Sequence, residues 1–248
     1  MSRLPWIEAD APVQFPNPQT ALDDPNGLLA AGGDLSPQRL LTAYRQGIFP
    51  WFDRRSPILW WSPNPRLVIY PGHLHVSRRL RRTLRRMDYQ VSLDRAFDQV
   101  IAACADVRLR RDQDGTWITE SMRDAFQALH RLGHAHSVEV WRKDELIGGL
   151  YGVAIGRVFF GESMFSRQSD GSKIAMAWLD AQLAEWGFAL MDCQVENPHL
   201  LRMGALTLSR PAFLAALDRH TAEPGPASPW QLTTRPEACR RKDGDDEG

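Results

Sequence analysis

Cysteine is scarce in this chain: Cys104, Cys193 and Cys239 are the three in 248 residues, and they are scattered singly. That spacing excludes a disulfide framework and a cysteine-based metal knot, and it points to a reducing compartment. Long apolar runs are missing too, since no stretch approaches the roughly 18 residues that a membrane-spanning helix needs. Met1-Ser2-Arg3-Leu4-Pro5-Trp6 lacks the apolar core and small-residue cleavage site of a secretory signal, so the expectation is a cytoplasmic protein. Net charge is also absent, with 30 Lys and Arg against 30 Asp and Glu, which leaves no global field toward nucleic acid or a membrane surface. No internal repeat appears. What is present is 43% hydrophobic residues in a chain long enough to bury a core without crosslinks.

Locally the charge is far from even. Ser77 to Met87 sets Arg78, Arg79, Arg81, Arg82, Arg85 and Arg86 around Leu80, Leu84 and Met87. At about 100° per residue the three apolar side chains form one seam and the arginines cover the rest of the helix, with Ser77 as its N-cap. Six like charges without an acidic partner repel one another unless an anion is near, and phosphate is the natural candidate. A solvated helix face is the alternative.

The first sixty residues are rich in turns: Phe15-Pro16-Asn17-Pro18, Asp24-Pro25-Asn26-Gly27 and Ala31-Gly32-Gly33-Asp34. One helix is predicted there from Pro37 to Gln46, capped by Ser36 and ended by Gly47. Trp60 to Arg66 reads as a stiff connector into a strand from Leu67 to Tyr70. Asp94 is predicted to cap a helix carrying Phe97, Val100, Ile101 and Cys104, and Thr119 a second one from Glu120 to Leu132, with the charged loop Arg108 to Trp117 between them. From His136 the period changes to two. Three strands form an antiparallel meander with turns at Lys143-Asp144-Glu145 and Gly156-Arg157, followed by a polar loop, a helix from Lys173 to Trp186 and a strand from Phe188 to Val195. This strand, strand, strand, helix, strand order is that of the acetyltransferase superfamily, a likeness of fold that assigns no reaction. The fold class read here is α+β. A small loop-rich N-terminal domain spans 1–62, and an acetyltransferase-like domain with a mostly antiparallel mixed sheet flanked by helices spans 63–220. A partly disordered tail, 221–248, ends in the charged stretch Arg240 to Gly248.

Two of the strand segments set polar groups among apolar ones: Phe159-Phe160-Gly161-Glu162-Ser163-Met164-Phe165 and Met191-Asp192-Cys193-Gln194-Val195-Glu196-Asn197. Buried polar atoms cost free energy unless paired, so such a pattern marks either a structural network or a reaction site. Strands with solvated ends are the plainer reading. Residues two apart on a strand face the same side, which would let Asp192 and Gln194 meet one substrate.

Several longer motifs run in a fixed order: Pro25-Asn26-Gly27-Leu28-Leu29, Gly32-Gly33-Asp34-Leu35-Ser36-Pro37, Gly47-Ile48-Phe49-Pro50-Trp51-Phe52, Trp60-Trp61-Ser62-Pro63, Gly115-Thr116-Trp117-Ile118, Gly133-His134-Ala135-His136-Ser137, Gly161-Glu162-Ser163-Met164-Phe165-Ser166 and Asp192-Cys193-Gln194. From about Phe15 to Phe213 the chain resembles the leucyl/phenylalanyl-tRNA-protein transferase family. The resemblance implies transfer of Leu, Phe and Met from aminoacyl-tRNA to proteins with N-terminal Arg or Lys, which marks them for N-degron proteolysis, with no metal and no cofactor. It implies Asp192 and Gln194 as the catalytic pair and Glu162 as the acid beside the reacting centre; read as residues, Glu162 and Glu196 either attract the cationic acceptor or are solvated or salt-bridged acids at strand ends. Trp51 and Trp117, which taken alone read as core tryptophans, match positions that hold the terminal adenosine. The side-chain pocket maps onto Leu150, Phe159, Met176, Leu179 and Met191, with Leu150 and Leu179 standing where a methionine and a phenylalanine are expected. In this reading Arg78, Arg82, Arg85 and Arg86 grip phosphates of the acceptor stem.

The implied reaction needs little activation. An α-amine has a pKa of about 7.7 to 8.0, and a ribose ester is a reactive acyl donor. No covalent nucleophile is called for, and Gly161-Glu162-Ser163-Met164-Phe165 is not a Gly-x-Ser-x-Gly elbow. Asp192 either accepts the ammonium proton or holds Gln194; a carboxylate near its reference pKa of ~3.9 is a poor base, which favours the orienting and electrostatic role. The Gln194 amide either donates to the oxyanion or orients the amine. Two other classes stay open. An acyl-CoA N-acyltransferase would use Gln168 and Gly171 in a pyrophosphate loop from which Lys173 departs, and a non-catalytic RNA-binding protein would use the arginine helix and leave Asp192 and Gln194 unexplained. His130, His134 and His136 do not have the placement of a metal site, because His136 opens a strand.

Overall fold

The computed structural model describes residues 4–106 and 118–239. The predicted loop 108–117, with Trp117, and the charged stretch 240–248 lie outside the described residues.

The N-terminal residues build a small sheet from strands too short to show a two-residue period. These are β1 (Trp6–Ile7), β2 (Leu28–Gly32), β3 (Phe49–Pro50) and β4 (Leu59–Trp61), arranged β1-β2-β4-β3. Trp60 centres this layer: it is fully buried, its indole N–H donates to the Gly32 carbonyl at 2.9 Å, and its ring meets Phe15 edge-on at 4.8 Å. Helix α1 (Pro37–Arg45) lies between β2 and β3. Ser36 Oγ accepts from Arg39 N, Pro37 sits in the first turn where its missing N–H costs nothing, and Gly47, at φ +71°, turns the chain out. Its buried face carries Leu40, Ala43 and Tyr44.

The main sheet has seven strands: β5 (Arg66–Ile69), β6 (Gln90–Leu93), β7 (Ala135–Arg142), β8 (Glu145–Ile155), β9 (Val158–Ser166), β10 (Leu190–Gln194) and β11 (Leu206–Leu208). They lie in the order β11-β5-β10-β9-β8-β7-β6, and every neighbouring pair is antiparallel except β9 and β10. Helices cover both faces. The remaining helices are α2 (Arg78–Arg86), α3 (Phe97–Ala105), α4 (Glu120–Arg131), α5 (Gly171–Glu185), α6 (Pro198–Arg202) and α7 (Arg210–His220). On one face α3, α4 and the N-terminal layer bury Phe97, Val100, Phe126, Tyr151 and Phe160; on the other, α2 and α5 bury Leu80, Leu84, Ile147, Phe159 and Leu179. The architecture is α+β, and the run β7-β8-β9-α5-β10 supplies the acetyltransferase-like order.

Helix α5 starts in backbone contact with the sheet. A Cβ on Gly148 of β8 would lie 2.5 Å from Gly171, and one on Gly171 would lie 2.6 Å from the Ile147 carbonyl. Only glycine at both places lets the strand and helix approach so closely.

Three local expectations change. Asp94 does not cap α3, whose N-cap position is Ala96 with no side-chain bond. Its backbone takes φ +56°, and its carboxylate instead accepts the N–H groups of Ser137 (3.0 Å) and Trp230 (2.9 Å) and sits 2.8 Å from His136 Nδ1. Two amides and an imidazole outweigh the single bond of a cap. Met87 is an exposed left-handed C-cap at φ 50°, so the seam of α2 is Leu80 and Leu84 alone. Finally, the arginines of α2 do have an acidic neighbour: Arg79 Nε lies 3.7 Å from Asp170 Oδ2.

Candidate active site

At the β5–β10 pair an ion pair is sunk into the protein. Arg66 donates from Nε and Nη2 to the two carboxylate oxygens of Asp192 at 2.8 and 2.7 Å, and from Nη1 to the Gly47 carbonyl at 3.1 Å. The guanidinium lies between the rings of Phe49 and Phe213, 4.7 and 4.6 Å from their centroids. Asp192 has no exposed surface. Both of its oxygens are committed to a permanent cation.

The chain beyond Asp192 bends. The pairing of β10 with β5 shifts register between Asp192 and Gln194, and Gln194 takes φ +65°. A non-glycine residue there costs about 1 kcal/mol or more, a strain typical of functional sites. The bend sends the two side chains apart, so the expectation that both face one substrate from a regular strand does not hold: Asp192 points to Arg66 and Gln194 to the cavity. Asp192 still governs Gln194, because its Oδ1 accepts the Gln194 N–H at 2.8 Å.

Gln194 Nε2 donates to Glu162 Oε1 at 2.8 Å, and Tyr44 Oη donates to the same oxygen at 2.8 Å. Glu162 Oε2 has no hydrogen-bond partner among the described residues. Burial, and after it the nearby Asp192 carboxylate, pushes the Glu162 carboxyl up to about 8, against the opposing bonds from Tyr44 and Gln194 and the charge of Arg66. Burial and the Glu162 charge push the Tyr44 phenol well above its ordinary value, so it remains a donor. Cys193 offers no thiolate, because burial and Asp192 drive its pKa upward.

These groups border a cavity of about 860 Å³. Leu150, Phe159, Met176, Leu179 and Met191 all line it, as do Glu162, Gln194 and Trp51. The sequence-predicted pocket is therefore brought together in one place. Trp51 is 42% exposed and meets Trp61 at 5.6 Å in a tilted contact, and the Trp61 indole N–H donates to the Trp51 carbonyl at 2.7 Å. Asp192 does not reach the cavity, and neither does Glu196, which is exposed. Of the α2 arginines Arg79 lines it; Arg78, Arg82 and Arg86 are exposed outside it and Arg85 is half-buried. Among the described residues no group of three or more His, Cys, Asp or Glu could hold a metal ion, and no helix is long and apolar enough to cross a membrane.

Sequence reasoning missed Arg66 and Tyr44. A signal existed for each. An arginine opening the apolar strand Leu67 to Ile69 requires a buried acid, and a tyrosine on the Leu40 face of α1 requires a partner for its hydroxyl.

The model of the leucyl/phenylalanyl-tRNA protein transferase family matches residues 68–218, and that of the family's N-terminal domain matches residues 33–64. A leucyl/phenylalanyl-tRNA--protein transferase of Alkalilimnicola ehrlichii is 58% identical over 94% of this chain and 90% of its own length. The chain belongs to this family. A second transferase of that name, from Stutzerimonas stutzeri, is 54% identical over 92% of this chain and 99% of its own. A solved GCN5-related N-acetyltransferase from Kribbella flavida aligns with TM-score 0.36 and 12% identity over 70% of this chain and 61% of that one. Arg66 falls between the two ranges that the family models match.

Two stability measurements follow from the buried charges of this transferase. Asp192→Asn strands the Arg66 guanidinium between two rings and should cost roughly 3–5 kcal/mol in urea denaturation, the range for breaking a buried pair. For Glu162 the folded pKa lies above the unfolded one, so the folded state holds more protons and stability falls as pH rises from about 4.5 to about 8. Glu162→Gln should therefore be more stable than wild type at pH 8.5, with the difference closing toward pH 4.5 in thermal melts.

Proposed function

We propose that the cavity receives the esterified end of leucyl- or phenylalanyl-tRNA and joins its amino acid to the α-amine of an acceptor protein. The observation that carries this reading is an apolar pocket of five side chains opening beside a neutralised carboxyl, Glu162, and the amide of Gln194. The neutral amine nitrogen attacks the ester carbonyl, a C–N bond forms, the C–O bond to ribose breaks, and the proton that the nitrogen sheds on becoming an amide ends on the departing ribose oxygen. Glu162 is the proton carrier in this scheme. Its carboxyl, raised by burial to about 8, is protonated at neutral pH and can give its proton to the ribose oxygen while its free oxygen takes one from the attacking nitrogen. Gln194, oriented by Asp192 through its backbone and by Glu162 through its side chain, turns its amide to the tetrahedral centre. Asp192 acts from behind as the counter-charge of Arg66.

Trp51 stacks on the terminal adenine, a contact worth about 1–3 kcal/mol. Arg78, Arg82, Arg85 and Arg86 on α2 track the acceptor-stem phosphates. Methionine, unbranched at Cβ, fits the same pocket, and acceptors begin with Arg or Lys; such proteins are thereby marked for proteolysis. The acyl-CoA alternative is weakened by Asp170. Its carboxylate stands at the start of α5 beside Lys173 (3.3 Å) and Arg79, where a pyrophosphate would need bare amide groups.

Incubation with radiolabelled leucyl-tRNA and an Arg-terminated peptide should give labelled peptide, with valyl-tRNA a poor donor because its Cβ is branched. Glu162→Gln should lower kcat by about 10²-fold or more with donor KM little changed, as loss of a proton carrier requires. Label transfer from valyl-tRNA as fast as from leucyl-tRNA would contradict the pocket assignment. Separately, Arg82→Ala should weaken binding of every tRNA alike and reduce the salt slope by roughly 1; filter binding across a salt series reads both.

A further inference from the structure

The chain after α7 wraps around the catalytic sheet. It first crosses the β8–β9 turn, where Arg157 N donates to the His220 carbonyl at 2.8 Å, and where a Cβ on Gly156 would come 2.4 Å from that same oxygen. It passes the end of α4 at Gly133, against Ser228. Beyond Trp230 it is tied to α5: Gln182, itself fully buried, donates to Thr233 Oγ1 at 2.7 Å and accepts the Thr233 N–H at 2.8 Å. The strap ends beside α2, with Cys239 Sγ 3.9 Å from Tyr89 Oη.

Trp230 is the one aromatic side chain of this strap and is 3% exposed. Its ring stacks on His136 at 3.7 Å with 1° between planes, and its backbone N–H donates to Asp94, which also fixes His136. Trp186 and Phe188 meet it edge-on at 4.9 and 5.9 Å. The remaining ring in contact is Phe159, at 6.0 Å, and Phe159 alone among these neighbours lines the cavity. From β8 the ring of Phe159 is pressed by Gly152, where a Cβ would lie 2.5 Å from Phe159 Cζ. Phe159 is thus held between a strand and the strap, with its free side toward the donor.

We propose that Trp230 is a positioning residue for donor selection: by backing Phe159 it sets the depth of the side-chain end of the cavity. This rests on the function proposed above. The anchoring supports it, because Asp94 and Gln182 hydrogen-bond the strap on either side and His136 stacks on the Trp230 ring. A smaller residue at 230 leaves space behind Phe159, the ring moves back, leucine loses wall contact and larger side chains gain room.

The test is kcat/KM for leucyl-, phenylalanyl- and tryptophanyl-tRNA with wild type, Trp230→Ala and Trp230→Phe, each checked for native circular dichroism. Trp230→Ala should raise the ratio of bulky to leucyl donor by ~10-fold or more, the span that one or two methylenes command in an apolar pocket. Trp230→Phe should move it the same way by less, and the KM for the acceptor peptide should stay at the wild-type value in both. Should Trp230→Ala fail to fold, Trp230→Phe decides. A donor ratio unmoved in folded Trp230→Phe, or a uniform loss for all donors, overturns the role of Trp230 while leaving the transferase reading intact. A wild type that transfers no leucine defeats that reading, and this inference with it.

Discussion

The pairing of Arg66 with Asp192 is the constraint on which the site is built. A guanidinium and a carboxylate taken out of water each lose several kcal/mol of hydration, and only short, bidentate geometry with further hydrogen bonds offsets that loss. The protein meets the condition with three elements. β10 supplies the acid, β5 the base, and the end of α1 a carbonyl at Gly47, while Phe49 and Phe213 close over the guanidinium. The pair therefore joins the N-terminal layer, the main sheet and α7 at one point. Glu162 and Gln194 are placed relative to that point, through Tyr44 from the first and the bulge of β10 from the second.

Two carboxyls in one hydrogen-bonded chain are thereby given opposite characters. Asp192 has a cation in contact with both oxygens. Glu162 has neutral donors on one oxygen, none on the other among the described residues, and the Asp192 charge nearby. Of the two acids singled out in the sequence, Asp192 faces Arg66 away from the cavity and Glu162 lines it.

Much of this was legible in the sequence where signals were local. The caps Ser36, Ser77 and Thr119, the meander of β7 to β9 and α5 followed by β10 are set by residues close together in the chain. The five pocket residues, matched by resemblance, converge on one cavity. What escaped reading depends on pairs distant in sequence. The strands β1 to β4 have two to five residues each, too few for an alternation to register, and exist through pairing with one another. Asp94 reads as a helix cap until His136 and Trp230, 42 and 136 residues away, arrive beside it. The Arg66–Asp192 pair spans 126 residues, and the bend at Gln194 has no glycine to announce it.

That bend also explains why the site tolerates a strained residue. Were β10 regular, Gln194 would face the same side as Asp192 and its amide would leave the cavity. The bulge turns it through roughly the angle needed to reach Glu162, and the cost of φ +65° is offset by two bonds, one from its backbone N–H to Asp192 and one from its side chain to Glu162. Glycine at 194 would relieve the strain and lose the amide; a β-branched residue would keep a side chain and raise the strain. Glutamine, unbranched at Cβ and carrying a donor at the end of a reach long enough for Glu162, meets both demands, and this is the physical content of the Asp-x-Gln pattern on β10.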